Sequence, residues 1–121
     1  MASPILQFLL VYDIMKKEST FQKELINELK AEFPGCIVLK NDANYIQGIP
    51  DLLVLYKTHW AALECKKFKN AHHQPNQNYY ISLMNDMSFA RFIYPENKEE
   101  VLDELQRSFR VRRMSRLPIS K

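Results

Sequence analysis

Two apolar runs of strand length, Asp51–Tyr56 and Trp60–Cys65, are separated only by Lys57-Thr58-His59. Runs this close together read as an antiparallel hairpin, and that pairing constrains the chain more than any other feature. Asp51 opens the first run; Glu64, Cys65 and Lys66 close the second. Side chains alternate between the faces of a strand, so Glu64 and Lys66 share a face while Cys65 points to the core. The hairpin brings Asp51 to the end that carries Glu64 and Lys66. The plain reading of this trio is a buried ion pair. Two close carboxylates repel each other unless a cation lies between them, however, and one lysine leaves their charge uncompensated. Such an imbalance marks a place that binds a cation or does chemistry. A hard ion such as Mg²⁺ takes oxygen ligands of this type.

The surrounding pattern is α/β. Ser19 with Gln22 fits a capping box, and Phe21, Leu25, Ile26, Leu29 and Phe33 recur at helical spacing until Pro34-Gly35. Cys36–Lys40 reads as a first strand, followed by a polar turn through Asn41 and Asp42. Gly48 and Pro50 turn the chain into the hairpin, where Val54, Trp60 and Leu63 read as core. Pro75 suits the first turn of a second helix, with Tyr80, Ile81, Met84 and Met87 as its buried stripe. Phe89–Tyr94 reads as a fourth strand closed by Pro95. Glu96–Phe109 reads as a last helix, acidic at its start and basic at its end, as the helix dipole favours. Its apolar face is Val101, Leu102, Leu105 and Phe109. Residues 1–17 read as an extension that packs on the core or on a second subunit, 18–109 as the domain, and 110–121 as a basic tail.

Ile49-Pro50-Asp51, followed after a strand and a turn by Glu64-Cys65-Lys66, resembles the PD-(D/E)xK nuclease signature. The order αβββαβα over about residues 18–109 resembles the minimal core of that family. The resemblance implies a restriction-endonuclease-like fold, a mixed central sheet flanked by helices. It implies that Asp51 and Glu64 hold Mg²⁺, with Mn²⁺ able to substitute and the backbone carbonyl of Cys65 as a further ligand. It assigns to Lys66 the attacking water or the transition-state charge. Family members often add a Glu from the preceding helix, and Glu24 matches by position. A Gln heading the helix after the E-x-K strand resembles the VRR-Nuc and phage Holliday-junction resolvase branches; Gln77 is that residue, with Tyr80 one turn on. The implied activity is metal-dependent endonucleolytic cleavage of DNA, structure-selective for branched substrates and phage-type, in the cytoplasm of a host. Junction resolution needs two opposed sites, hence a homodimer.

Composition narrows the alternatives. The chain has 121 residues, two Gly and two Cys, which excludes glycine-rich phosphate loops and a disulfide scaffold and suits a reduced cytoplasmic setting. Neither a zinc pattern nor a small-molecule cofactor motif occurs. The apolar stretch Pro4–Tyr12 is too short to span a bilayer. Of 17 basic residues, six lie in 107–121 without any acid, so residues 1–106 carry 11 basic against 14 acidic side chains, a net of −3. That tail, through Arg110, Arg112 and Arg113, suits phosphate contact, as do Lys40 and the loop residues Lys67, Lys69, His72 and His73. Two other readings stand beside the structure-selective enzyme. One is a homing or restriction-like sequence-specific endonuclease of the same fold. The other is a non-catalytic nucleic-acid-binding domain.

Overall fold

The computed structural model describes residues 3–115, with the side chains of 13–16 and 111–115 excepted. Its elements run α1 (Pro4–Glu32), β1 (Ile37–Lys40), β2 (Leu52–Tyr56), β3 (His59–Cys65), α2 (Pro75–Met87), β4 (Ala90–Ile93) and α3 (Lys98–Ser115). The strands form one open sheet in the order β1-β2-β3-β4. The first three pair antiparallel, and β4 runs parallel to β3. A parallel neighbour needs a crossover, and α2 supplies it. The chain is thus α/β with a mixed sheet, in the element order expected.

Register explains the two faces. Leu52 pairs with Leu63 and Val54 with Ala61, and cross-strand partners share a face. With Cys65 they meet Leu25 and Leu29 of α1 and Val101, Leu102 and Leu105 of α3 in one core. The α1 residues Phe21, Leu25 and Leu29 and the C-cap Phe33 recur every four positions and are all buried, the stripe an amphipathic helix lays on a sheet. Phe33, Tyr56, Phe109 and His59 close the far end of this core through ring contacts at 5.3–5.8 Å. That packing, with the Tyr56–His59 pair, starts β3 at His59, ahead of Trp60.

On the opposite face Ile37, Leu55 and Trp60 form one cross-strand row, and Leu39, Leu53 and Ala62 the next. Here α2 covers β3 and β4 and touches neither β1 nor β2 among the described residues. Ile37 and Leu39 stay 56% and 44% exposed.

Three expectations are corrected. Ser19 does not start the first helix. Ser3 caps it, accepting a hydrogen bond from the Leu6 N–H at 3.1 Å, with Pro4 in the first turn. Nothing between Pro4 and Ser19 breaks a helix, so a Ser and a Gln three apart sit inside one. The extension therefore does not pack on the core as a separate piece: it is the first half of α1, and its apolar side chains from Ile5 to Tyr12 are exposed. No residue of α2 is fully buried, and Met87, expected inside, is 62% exposed. Both helices cross the expected domain limits, α1 at residue 17 and α3 at residue 109. Among the described residues no helix is long and apolar enough to cross a membrane.

Gly48 fixes how the loop before β2 meets α2. Its φ is +88°, and a Cβ there would stand 2.4 Å from the Cβ of Asn76. Gly48→Ala meets both a left-handed backbone and a backbone-level clash. Its expected cost is about 2–4 kcal/mol, measured by urea denaturation; a loss under about 0.5 kcal/mol would show that this contact does not constrain the fold.

Candidate active site

The ends of β2 and β3 converge where the hairpin brings them. The Asp51 N–H donates to Glu64 Oε1 at 3.1 Å, and the Cys65 N–H donates to Asp51 Oδ2 at 3.0 Å. Each carboxylate is thus pinned by the backbone of the other strand. Glu64 and Lys66 are 3% and 8% exposed, and Lys66 Nζ lies 3.7 Å from Glu64 Oε2. Cys65 turns its side chain into the core. Burial first, then the neighbouring carboxylates, push its thiol well up, so it enters the site through its backbone.

Gln77 connects the trio to α2. Its Nε2 donates to Glu64 Oε2 at 3.0 Å, and its Oε1 accepts from Lys66 Nζ at 2.8 Å and from the Gln74 N–H at 3.0 Å. The partners set the amide's orientation: oxygen to two donors, nitrogen to a carboxylate. The Gln74–Gln77 bond is also part of the capping box that starts α2, so one side chain caps the helix and organises the site. Lys66 donates further to the His72 carbonyl at 3.0 Å, which ties the loop between β3 and α2 to the same ammonium.

Burial, then Asp51, raise the Glu64 pKa to about 8, and burial raises that of Asp51. Glu64 accepts through its two oxygens from the Asp51 N–H and the Gln77 amide. Its charge is therefore held at a cost, offset by Lys66 and Gln77.

On α1, Glu18, Ser19 and Gln22 line a cavity of about 250 Å³ together with Asp51. Glu18 contributes to the upward shifts of Asp51, Glu64 and Cys65. Glu24, the expected helix acid, is exposed on another side of α1, where its charge acts on Lys98. The structure thus puts Glu18 where Glu24 was expected. Glu18, Phe21, Gln22 and Leu25 follow i, i+3, i+4 and i+7, a signal hidden once the helix is started at Ser19.

The other expected contact residues are spread out. Lys40 is exposed at the end of β1, beside Asn41, which bonds Asp51 O through its N–H and Pro50 O through its side chain. Lys67 lies over the Phe68 ring, and the Lys69 N–H donates to Glu96. His72 contributes its carbonyl. The His73 ring stacks on Phe92 at 4.0 Å and meets Asn78 Oδ1 at 3.1 Å. Tyr80 packs edge-on against Tyr79. Arg110 lines a different cavity, with Tyr56, Lys57 and His59, at the opposite end of the hairpin from Asp51. The side chains of Arg112 and Arg113 lie outside the described residues.

Among the described residues no three His, Cys, Asp or Glu side chains cluster tightly enough to enclose a metal ion. The donor set is the buried Glu64 and the half-buried Asp51 carboxylates, with Glu18 lining the cavity beside Asp51. It fits Mg²⁺, which binds through one or two carboxylates and completes its shell with water and phosphate oxygens. No protein-family model, curated protein or solved structure matches the chain.

A buried acid with a raised pKa takes up a proton on folding between its unfolded and folded values. Stability should therefore fall as pH rises from about 4.5 to about 8 and level off above that. A divalent cation that binds the pair should reverse the loss, by several degrees at pH 8 and hardly at all at pH 5. Thermal melts with Mg²⁺ and with chelator measure this; equal shifts at both pH values would count against a carboxylate-held cation.

Proposed function

We propose that the chain is a metal-dependent endodeoxyribonuclease with a PD-(D/E)xK-type, restriction-endonuclease-like core. One observation carries the reading: Asp51, Glu64, Lys66 and Gln77, distant in sequence, converge in a single hydrogen-bonded group at one end of the sheet. The order αβββαβα supports it, as does an acid of α1 facing the same group.

Asp51 and Glu64 are the metal-holding pair in this proposal, with Glu18 reaching the site from α1. When bound, Mg²⁺ (or Mn²⁺) supplies activation of water and neutralisation of charge on the phosphate. The protein's share is positional. The Cys65 and Asp51 N–H groups hold the two carboxylates at fixed separation. Lys66, surrounded by His72 O, Gln77 Oε1 and Glu64 Oε2, is a preorganised cation that stabilises charge developing on the scissile phosphate. Gln77 keeps that ammonium and Glu64 in register. Lys67 and Lys69, which follow β3, and Lys40, at the end of β1, are the phosphate-backbone contacts in this proposal. Branched DNA is the preferred substrate class in this proposal.

A second reading has one observation in its favour. The Glu64–Gln77–Lys66 network is closed on itself, and no tight cluster of three acidic, His or Cys side chains accompanies it among the described residues. On that reading the trio fastens α2 to the sheet of a non-catalytic nucleic-acid-binding domain.

Cleavage of a labelled four-way junction, linear duplex and single strand, with Mg²⁺ and with chelator, separates the two. Asp51→Asn, Glu64→Gln and Lys66→Ala should each lower the cleavage rate by about 10²-fold or more, with folding checked by circular dichroism. Glu18→Gln should lower it about 10- to 100-fold, while Glu24→Gln stays within about twofold. Loss at Glu24 with Glu18 unaffected would overturn the assignment of the helix acid. Metal-independent binding without cleavage of any substrate would leave the second reading.

A further inference from the structure

Two apolar surfaces have no cover among the described residues. The first is the arm of α1. Seven apolar side chains between Ile5 and Tyr12 are each 48–74% exposed, and residues 3–12 carry no charge and only Ser3 and Gln7 as polar side chains. A helix apolar on all sides is one that is buried against something. The second is the β1–β2 half of the sheet face that α2 leaves open, floored by Ile37, Leu39, Leu53 and Leu55, with the half-buried Trp60 of β3 at its border. A sheet face this apolar calls for a covering layer.

The flank of α2 beside that floor is apolar too. Asn76 marks the flank, because it meets Gly48 and Gln47 in the loop entering β2. Leu83 and Met87, seven and eleven positions on, lie on the same side of the helix and are 36% and 62% exposed. Asn85 marks the other flank, where it bonds Ala90 and Arg91 of β4.

We infer that the two surfaces cover each other in a reciprocal dimer, the Ser3–Tyr12 arm of one copy lying on the β1–β2 half of its partner's sheet, against Leu83 and Met87. The dimensions agree. Nine helical residues span about 14 Å and the five of β2 about 17 Å. The arm cannot cover the floor of its own chain, because α1 is one continuous helix whose second half lies on the opposite face of the sheet. Each copy contributes one side of its arm and its own floor, together on the order of 800 Å², which is each partner's share of a standard stable interface. Two equivalent dockings per dimer satisfy two-fold symmetry. The chemistry favours a second copy over other occupants. A helix lying on a membrane surface carries a basic polar face and a nucleic-acid contact needs cations, and the arm has neither. The inference is independent of the nuclease reading.

Sedimentation equilibrium on the full chain tests it, with three variants at exposed positions: Leu9→Lys in the arm, Leu39→Lys on the floor and Met87→Lys on the α2 flank. The wild type should be a dimer, and each variant should weaken dimerisation about 100-fold or more, with helix content unchanged by circular dichroism. Mixing Leu9→Lys with Leu39→Lys should restore heterodimer, because the unaltered arm of the second then meets the unaltered floor of the first. Met87→Lys replaces Leu39→Lys in that mixture if the latter does not fold. A monomeric wild type overturns the inference, including one whose arm binds lipid vesicles or duplex DNA instead. So does a wild-type dimer that Leu39→Lys and Met87→Lys leave intact, since arm-to-arm packing or β1 edge pairing would then hold it.

Discussion

Burial of the Glu64 carboxylate is the constraint on which this structure turns. A buried carboxylate is tolerated only when its surroundings supply donors and positive charge. Here they come from three separate parts of the chain: the Asp51 N–H at the head of β2, the Gln77 amide in the first turn of α2, and the Lys66 ammonium beyond β3. Satisfying one side chain therefore locks the hairpin register, the entry angle of α2 and the path of the loop through His72. Gln77 serves two of these ends at once, since its oxygen also takes the Gln74 N–H that would otherwise be left over at the start of α2. A network that joins helix, loop and sheet this closely has few ways to relax when one member is lost.

The same economy explains the tight spot at Gly48. For Gln77 to reach Glu64, the first turn of α2 must sit low over the head of β2, where Asn76 comes down on the loop. Only a residue without a Cβ fits beneath it. The strain-tolerant position is thus a consequence of the site's geometry, although Gly48 touches none of the site's side chains.

What the sequence made legible follows from which signals are local. Strand alternation and a short turn were enough to place Glu64 and Lys66 on one face and to bring Asp51 beside them, and the observed register has that pairing. Gln77 was legible through the resemblance, which places a Gln at the head of the helix after the E-x-K strand; Pro75 marks that helix start. The hidden parts depend on other things. Glu18 was obscured by a plausible cap at Ser19, since capping chemistry within a continuous helix looks the same in sequence as capping at its end. The His72 carbonyl was beyond reach because a backbone acceptor has no residue type. The far location of Arg110 was hidden too: charge counts along the tail carry no information about which end of a sheet the last helix reaches.

The buried stripe expected of α2 failed for a reason that bears on the fold as a whole. Tyr80, Ile81 and Met84 have helical spacing, but α2 rests on only half a sheet, so they are half-covered and Met87 is left in solvent. An amphipathic pattern shows which side of a helix is apolar, not whether one chain has enough surface to meet it. The apolar arm of α1 and the uncovered β1–β2 half are the two sides of the same shortfall. Among the described residues of one copy neither surface is covered, and no pattern within a single helix or strand reports that.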